Sequence, residues 1–404
     1  MAELVKVNKQ LNFSNLLEDI TRQFEEVVQW RRHLHQNPEL SFEEYETSQF
    51  IAEKLEEFGF DVKRNVGGTG LIARLEGKYS GKTIAFRADF DALPIQDLKT
   101  VSYASKKEGI SHACGHDGHT SALLGFAKVL AGYRELLHGN VLFVFQHAEE
   151  KPPGGAKDMI AENILDDVDY VFGAHLDSSL PIGKVSVGAG YQMAAVDYFK
   201  IDLKGRGGHG ARPQNAIDAL VAGAELVGAL QKIVSRNVNP LESAVVTIGQ
   251  FHSGTAFNVI AETAMLEGTV RTYDESIRQL VKERIEQITK GIALAHQIEF
   301  EIDYLHGYPA LYNDEAQTEK VRQAFLKGFG SEAVVEQVPT MGAEDFAYFL
   351  LEKPGTYFRV GSRNEKKETQ YAHHHGSFDI DENALTNIQK AFAYIVQDYL
   401  MKKE

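Results

Sequence analysis

Three times in this chain of 404 residues a short, mostly apolar run ends in acids or histidine. Thr83-Ile84-Ala85-Phe86-Arg87-Ala88 leads into Asp89-Phe90-Asp91, and Val141-Leu142-Phe143-Val144-Phe145 leads into Gln146-His147-Ala148-Glu149-Glu150. Tyr170-Val171-Phe172-Gly173-Ala174 ends at His175. Apolar runs that do not alternate belong to strands covered on both faces, as in parallel sheets. Helical stretches between such strands define an open α/β sheet, whose ligands bind in the crevice at the strands' carboxyl ends. In an extended chain side chains at i and i+2 share a face, which places Asp89 and Asp91 together. Adjacent Glu149 and Glu150 should then point to opposite sides, and dividing them into one ligand and one general base is economical.

Between the first two runs lies His112-Ala113-Cys114-Gly115-His116-Asp117-Gly118-His119, holding three imidazoles, a carboxylate and the only cysteine of the protein. A thiolate and a neutral imidazole two positions apart can both reach a borderline-soft divalent ion, and Gly115 allows the tight bend. Candidate ligands are Cys114, His116, Glu149, Glu150, His175 and one of His373 to His375. A metal that acidifies water and polarises a carbonyl, beside a carboxylate that moves the proton, is the equipment of a hydrolase. The net charge of −15 excludes nucleic acid and anionic membrane as natural partners, since both require basic surface. A single cysteine allows no intrachain disulfide, and neither an apolar leader core in Met1 to Asn12 nor a transmembrane run is visible. The expectation is a cytoplasmic protein.

Apolar spacing predicts a helix from Ser14, as N-cap, to His35, with Arg31, Arg32 and His35 on a solvated or salt-bridged face. A second helix spans about Phe42 to Phe58 and stops at Gly59. After Gly190 the texture changes to strand Ala195–Leu203, helix Pro213 to about Val234, strands Ala244–Phe251 and Ala264–Thr272, helix Ser276–Ala295 and strand Ile298–Tyr304. That βαββαβ order is the ferredoxin-like pattern. The expected organisation is a catalytic domain over 13–190 and 306–404, with an open mixed sheet flanked by helices, and an inserted domain over 191–305.

Further motifs recur in order: Arg31-Arg32 with His35 and Pro38-Glu39-Leu40, Arg87 to Pro94, His112 to Thr120, and Phe145-Gln146 with Ala148-Glu149-Glu150. They continue with Gly207-Gly208-His209-Gly210-Ala211 and Pro213, Gly254 to Ile260, Gly268-Thr269-Val270-Arg271, Gly342-Ala343-Glu344-Asp345-Phe346, and His374 four residues before Phe378. In these the chain resembles the M20 family of metallopeptidases, in the amidohydrolase branch of hippurate hydrolases, N-acyl-amino-acid amidohydrolases and plant auxin-conjugate hydrolases. The resemblance implies two divalent ions per subunit, Zn²⁺ or Mn²⁺ with Co²⁺ or Ni²⁺ as alternatives, held by Cys114, His116, Glu150, His175 and His374. It implies Glu149 as general base and Asp91 as the carboxylate that orients a ligand histidine, and it puts Asp89, where those relatives carry that histidine, behind the ligands rather than among them. It further implies that the inserted domain is a lid through which a homodimer forms, that His209 stabilises the tetrahedral intermediate, and that Asn258 and Arg271 grip a substrate carboxylate.

Three departures from the family pattern, His147, Gln214 and Ala261, leave the ligands intact but keep specificity open. The substrate class implied is an N-acyl amino acid, with a dipeptidase or aminopeptidase as the alternative and a non-catalytic metal protein as a third reading. Glu149 argues against the last, because a structural site is closed and needs no spare base. Gly205 to Gly210 suggests a phosphate loop only superficially, since the lysine and hydroxyl residue are missing.

Overall fold

The computed structural model describes residues 11–402. The chain divides into two compact units, the first running to Gly190 and resuming at Asn313–Val338 and from Tyr348, the second comprising Tyr191–Tyr312 and Pro339–Ala347.

The first unit holds an eight-stranded sheet in the order Val62–Val66, Gly70–Glu76, His138–Gln146, Tyr79–Asp89, Tyr170–Pro181, Gly355–Arg363, Val185–Val187, Val334–Glu336. The four central strands, His138–Gln146 to Gly355–Arg363, run parallel, and antiparallel pairs flank them. This is the open mixed sheet with flanking helices that the apolar runs predict. Its core centres on Phe86, whose ring lies 5.5 Å from Phe126, 5.8 Å from Phe172 and 4.6 Å from Phe392. Phe126 sits on the helix His116–Ala131 and Phe392 on Asn383–Leu400, so this cluster seats both helices on the central strands. Each such ring contributes roughly 1.5–3 kcal/mol by burial. Among the described residues no helix is long and apolar enough to cross a membrane.

Two helix expectations need correction. The Ser14–His35 helix is two helices, Phe13–Arg22 and Phe24–Gln36, and the cap is Asn12, whose side chain accepts from Asn15 N. Gln23 stands at the break and its amide donates to Gly125 O (2.8 Å) and Gln389 Oε1 (2.6 Å), a tertiary tie that local periodicity cannot reveal. Of the solvated or salt-bridged face expected for Arg31, Arg32 and His35 the structure shows the second: Arg31 and His35 are fully buried against Asp117, and Arg32 pairs with Glu382. Likewise the helix expected from Pro213 begins only at Ala219, after a short 3₁₀ turn at Pro213–Asn215. Asp218 makes the true N-cap, accepting from Leu220 N and Val221 N.

In the second unit four strands, Ala195–Lys204, Ala244–Ser253, Thr263–Thr272 and Glu299–His306, form a wholly antiparallel sheet. The second and third strands pair, the third pairs with the first, and the first with the fourth. Helices Ala219–Leu230 and Glu275–His296 complete a separate apolar core with Phe199, Leu226, Leu266 and Ile285. This unit extends beyond the expected 191–305, to Tyr312, and takes in Pro339–Ala347. Backbone bonds make that addition: Ala194 N donates to Gly342 O (2.8 Å) and Thr340 N to Gln192 O (2.9 Å).

Candidate metal centre

Strand alternation builds the site. Phe86, Ala88, Phe143, Phe145, Phe172 and Ala174 enter the apolar core, which turns Arg87, Asp89, Gln146 and His175 to the other face. Pairing sets Asp89 opposite Gln146 and Arg87 opposite Gly173, so Asp89, at the end of its strand, is level with His175, whose strand does not end there as expected but runs on to Pro181 beside Gly355–Arg363. Arg87 Nε donates to Gln146 Oε1 (2.8 Å) and Nη1 to Asp89 Oδ2 (2.5 Å). Cys114 and His116 arrive on either side of Gly115, which opens the helix His116–Ala131 at φ +94°, a conformation that favours glycine. The loop with His373 and His374 is pinned beside them, since His374 N donates to Ala113 O (2.8 Å) while His374 itself sits at φ +64°. A histidine held at such a φ is an outlier of the kind found at functional sites.

Cys114 Sγ lies 3.5 Å from His175 Nε2 and 3.7 Å from His373 Nδ1. His116 Nδ1 faces Asp91 Oδ1 at 3.1 Å, and Asp91 Oδ2 accepts from Ser41 Oγ (2.7 Å) and Glu150 N (3.0 Å). The other ring nitrogen of His116 is buried without a hydrogen bond, 3.8 Å from Glu150 Oε1 and 4.0 Å from Glu149 Oε2. His374 Nε2 lies 3.4 Å from the same Glu150 oxygen. Adjacent Glu149 and Glu150 thus face one space, contrary to the alternation expected of a strand. The strand ends at Gln146, and Ala148 turns the chain at φ +52°.

Electrostatics mark this as a place for cations. Burial opposes the charged imidazole of His116, yet Asp89, Asp91 and Glu150 push it up to about 10. Burial, then Glu150, Glu149 and Asp89, push the Cys114 thiol well above its usual range, and a bound divalent cation reverses that logic for a thiol. Cys114, Glu150 and His374 offer ligand atoms within 4.8 Å of one another, and so do Cys114, His116 and His175. With Cys114 common to both triads, and an orphaned His116 nitrogen between them, this set of sulfur, nitrogen and carboxylate donors fits two divalent ions.

Of the sequence-predicted residues the structure brings together Cys114, His116, Glu149, Glu150, His175, His374 and Asp91. His209, Asn258 and Arg271 lie in the second unit. There His209 pairs with Val259 in a two-stranded ribbon, and Gly210 N donates to Asn258 O (2.9 Å). Arg271 is half-buried on the strand Thr263–Thr272, and burial lowers its pKa. Sequence reasoning missed His119, which lies three residues from His116 on the same helix, a spacing that puts both on one face. It also missed that Arg31 and His35 converge on Asp117, the residue between His116 and Gly118.

Residues 85–398 match Peptidase family M20/M25/M40, and the chain belongs to that family. It is 48% identical to an N-acyl-L-amino acid amidohydrolase of Geobacillus stearothermophilus, over 74% of this chain and 82% of that protein. It is 42% identical to an N-acetyl-L-cysteine deacetylase of Bacillus subtilis (strain 168), over 89% of this chain and 85% of that protein. The crystal structure of the YXEP protein of Bacillus subtilis, described as a dinuclear metal binding peptidase of the M20 family, superposes with a TM-score of 0.81 at 35% identity. That match covers 93% of this chain and 98% of the other. The protein is a metallo-amidohydrolase.

Proposed function

We propose that this enzyme hydrolyses the amide bond of N-acyl amino acids, using a centre of two divalent ions held by Cys114, His116, Glu150, His175 and His374. The observation that carries the reading is the shared position of Cys114 in two ligand triads, with the carboxylate of Glu149 beside them. Bound there, the ions would acidify a water and polarise the scissile carbonyl. Glu149 takes the proton of the attacking water and delivers it to the departing nitrogen. Asp91 holds His116 through Nδ1 and so keeps Nε2 free to bind a metal. Thiolate, imidazole and carboxylate together suit Zn²⁺ or Mn²⁺, with Co²⁺ or Ni²⁺ as alternatives.

The second unit is read as a ferredoxin-like lid, supported by its βαββαβ order and antiparallel sheet. His209 would stabilise the tetrahedral intermediate, and Asn258 and Arg271 would hold the substrate carboxylate. A half-buried guanidinium whose charge burial disfavours is suited to an incoming carboxylate. A homodimer through this unit is supported by the strand Ala244–Ser253, which forms a sheet edge, and by exposed Phe251, Leu220 and Val221. A cytoplasmic location accords with the single cysteine.

The test is a panel of N-acyl amino acids, acyl amides and dipeptides, assayed for released amine after metal removal and readdition. E149Q should bind metal at wild-type stoichiometry and lose turnover by about 10²–10⁴-fold. E150Q should lose metal affinity and recover activity in part at high metal concentration. Wild-type turnover in E149Q would refute the hydrolytic roles. Preference for dipeptides with a free amine would move the substrate class.

A further inference from the structure

Asp89 and His119 are both buried, and neither is among the proposed ligands. His119 Nδ1 lies 2.6 Å from Asp89 Oδ1, and His119 Nε2 accepts from Leu176 N at 2.9 Å. A ring nitrogen that accepts from a backbone N–H carries no proton, so the proton of His119 is on Nδ1 and is donated to Asp89. Both nitrogens are then engaged, and His119 has no atom left for a metal. Leu176 directly follows His175, and its carbonyl takes the next link, accepting from His175 Nδ1 at 2.6 Å. That bond leaves Nε2 of His175 as the unprotonated nitrogen, the one facing Cys114 Sγ at 3.5 Å.

We infer that Asp89 and His119 are positioning residues whose task is to fix the backbone at Leu176, and through it the tautomer and ring orientation of His175. This rests on the proposed metal centre and deepens it. The geometry supplies the reason the backbone on both sides of the Leu176 Cα is used as the intermediate link. The strand Tyr170–Pro181 runs on beyond His175, so the ligand is in mid-strand, where the backbone that follows it holds the ring through the Leu176 carbonyl. Asp89 lies on the neighbouring strand and His119 on the helix that carries His116. The chain of bonds therefore ties three elements at the height of the site. Asp89 is further held by Arg87 Nη1 (2.5 Å), and Thr120 Oγ1 donates to its backbone carbonyl (2.7 Å). His116 Nε2 lies 3.8 Å from its other oxygen. Asp89 is thus a fixed anchor within the sheet edge.

Two substitutions at 119 separate this role from packing. Glutamine places an amide oxygen near the position of Nε2 and can accept from Leu176 N. Asparagine reaches only the position of Nδ1 and leaves that N–H unpaired. Co²⁺ affinity is measured by chelator competition on the purified apoprotein, with the thiolate-to-cobalt absorption band reporting coordination by Cys114, both independent of turnover. H119N should weaken one of the two Co²⁺ sites by about ten- to a hundredfold, the range for loss of a partner that orients a metal-binding histidine. H119Q should restore most of that loss. Wild-type affinity in H119N, or equal loss in both variants, would overturn the inference. If H119N does not fold, Asp89→Leu takes its place. Without the acceptor on Nδ1–H it must weaken the same site, and unchanged Co²⁺ affinity would overturn the inference equally. C114A provides the control on the centre itself. If it retains both ions the metal assignment fails, whereas if it loses metal while H119N binds normally, only the positioning role fails.

Discussion

Replacing Arg31 by methionine tests how the helix that bears His116 is held. The guanidinium is fully buried and donates to Asp117 Oδ2 (2.8 Å) and Asp379 Oδ1 (2.8 Å), with Tyr103 beneath it at 5.1 Å. Methionine keeps most of the aliphatic stem, so lost packing is a minor part of the effect. The larger part is Asp117, whose side chain has no exposure and loses its guanidinium partner while keeping the His35 ring at 2.7 Å. Breaking a buried pair from one side costs about 3–5 kcal/mol. At roughly 2 °C per kcal/mol for a unit of this size, R31M should melt about 6–10 °C below wild type at neutral pH. The pH dependence follows from the same geometry. Burial favours the neutral carboxyl of Asp117, but Arg31 and His35 hold its pKa well below the usual range. A depressed carboxylate contributes stability that is present above its unfolded pKa and lost as pH falls. The gap between wild type and R31M should therefore be widest at neutral pH and close toward acid. Scanning calorimetry across that range decides the matter. A deficit under about 2 °C at neutral pH, or one that does not change with pH, would refute the assignment of the energy to an uncompensated Asp117.

Other expectations are narrower. R271A should raise KM for N-acyl amino acids by tens- to a hundredfold, about 2–3 kcal/mol, and much less for the matching acyl amides, whereas equal effects would make Arg271 structural. Burial first, and Asp91 second, push the Glu44 carboxyl up to about 7. Its folded pKa then exceeds the ordinary value of about 4.3, so its contribution to stability falls as pH rises between the two, and E44Q should flatten the slope of denaturation midpoint from about pH 4.3 to about pH 7. F251D should convert the proposed homodimer to monomer in light scattering, and an unchanged mass would place any interface elsewhere.

Where the sequence carried the fold, it did so through side chains whose periodicity is local. The runs ending at Ala88, Phe145 and Ala174 announced the parallel strands because each is mostly apolar without alternating, and Gly115 announced the bend between Cys114 and His116. Reasoning failed where a distant residue decides. The break at Gln23 depends on Gly125 and Gln389, more than a hundred positions away. Whether Arg31 faces solvent or an ion pair stays open in the sequence because its partners, Asp117 and Asp379, lie 86 and 348 residues along the chain. The two glutamates were misjudged for a local reason of another kind. Alternation holds only while the backbone is extended, and Ala148, with no sequence mark of its own, turns it at φ +52°.

That turn and the charge balance of the site belong to one argument. Asp89, Asp91, Glu149 and Glu150 converge with Cys114 at the end of the sheet, and Arg87, His116, His119 and His374 are cationic or titratable groups that face them. Bringing like charges out of water is unfavourable unless opposite charge is brought with them. His116, driven up to about 10, answers part of that demand with its own proton. A histidine that binds metal must give that proton up, so the same carboxylates that raise its affinity for H⁺ set the competition between H⁺ and a divalent ion. Asp91 settles which nitrogen competes, because it engages Nδ1 and leaves Nε2 to the site. His175 lies under the opposite influence, since burial, His119 and His373 hold its pKa well below the usual range and it offers a neutral ring without prior loss of a proton. The two histidines of the shared triad are thus prepared by different means, one through a carboxylate on its ring and one through a backbone held in place, and Cys114 stands between them.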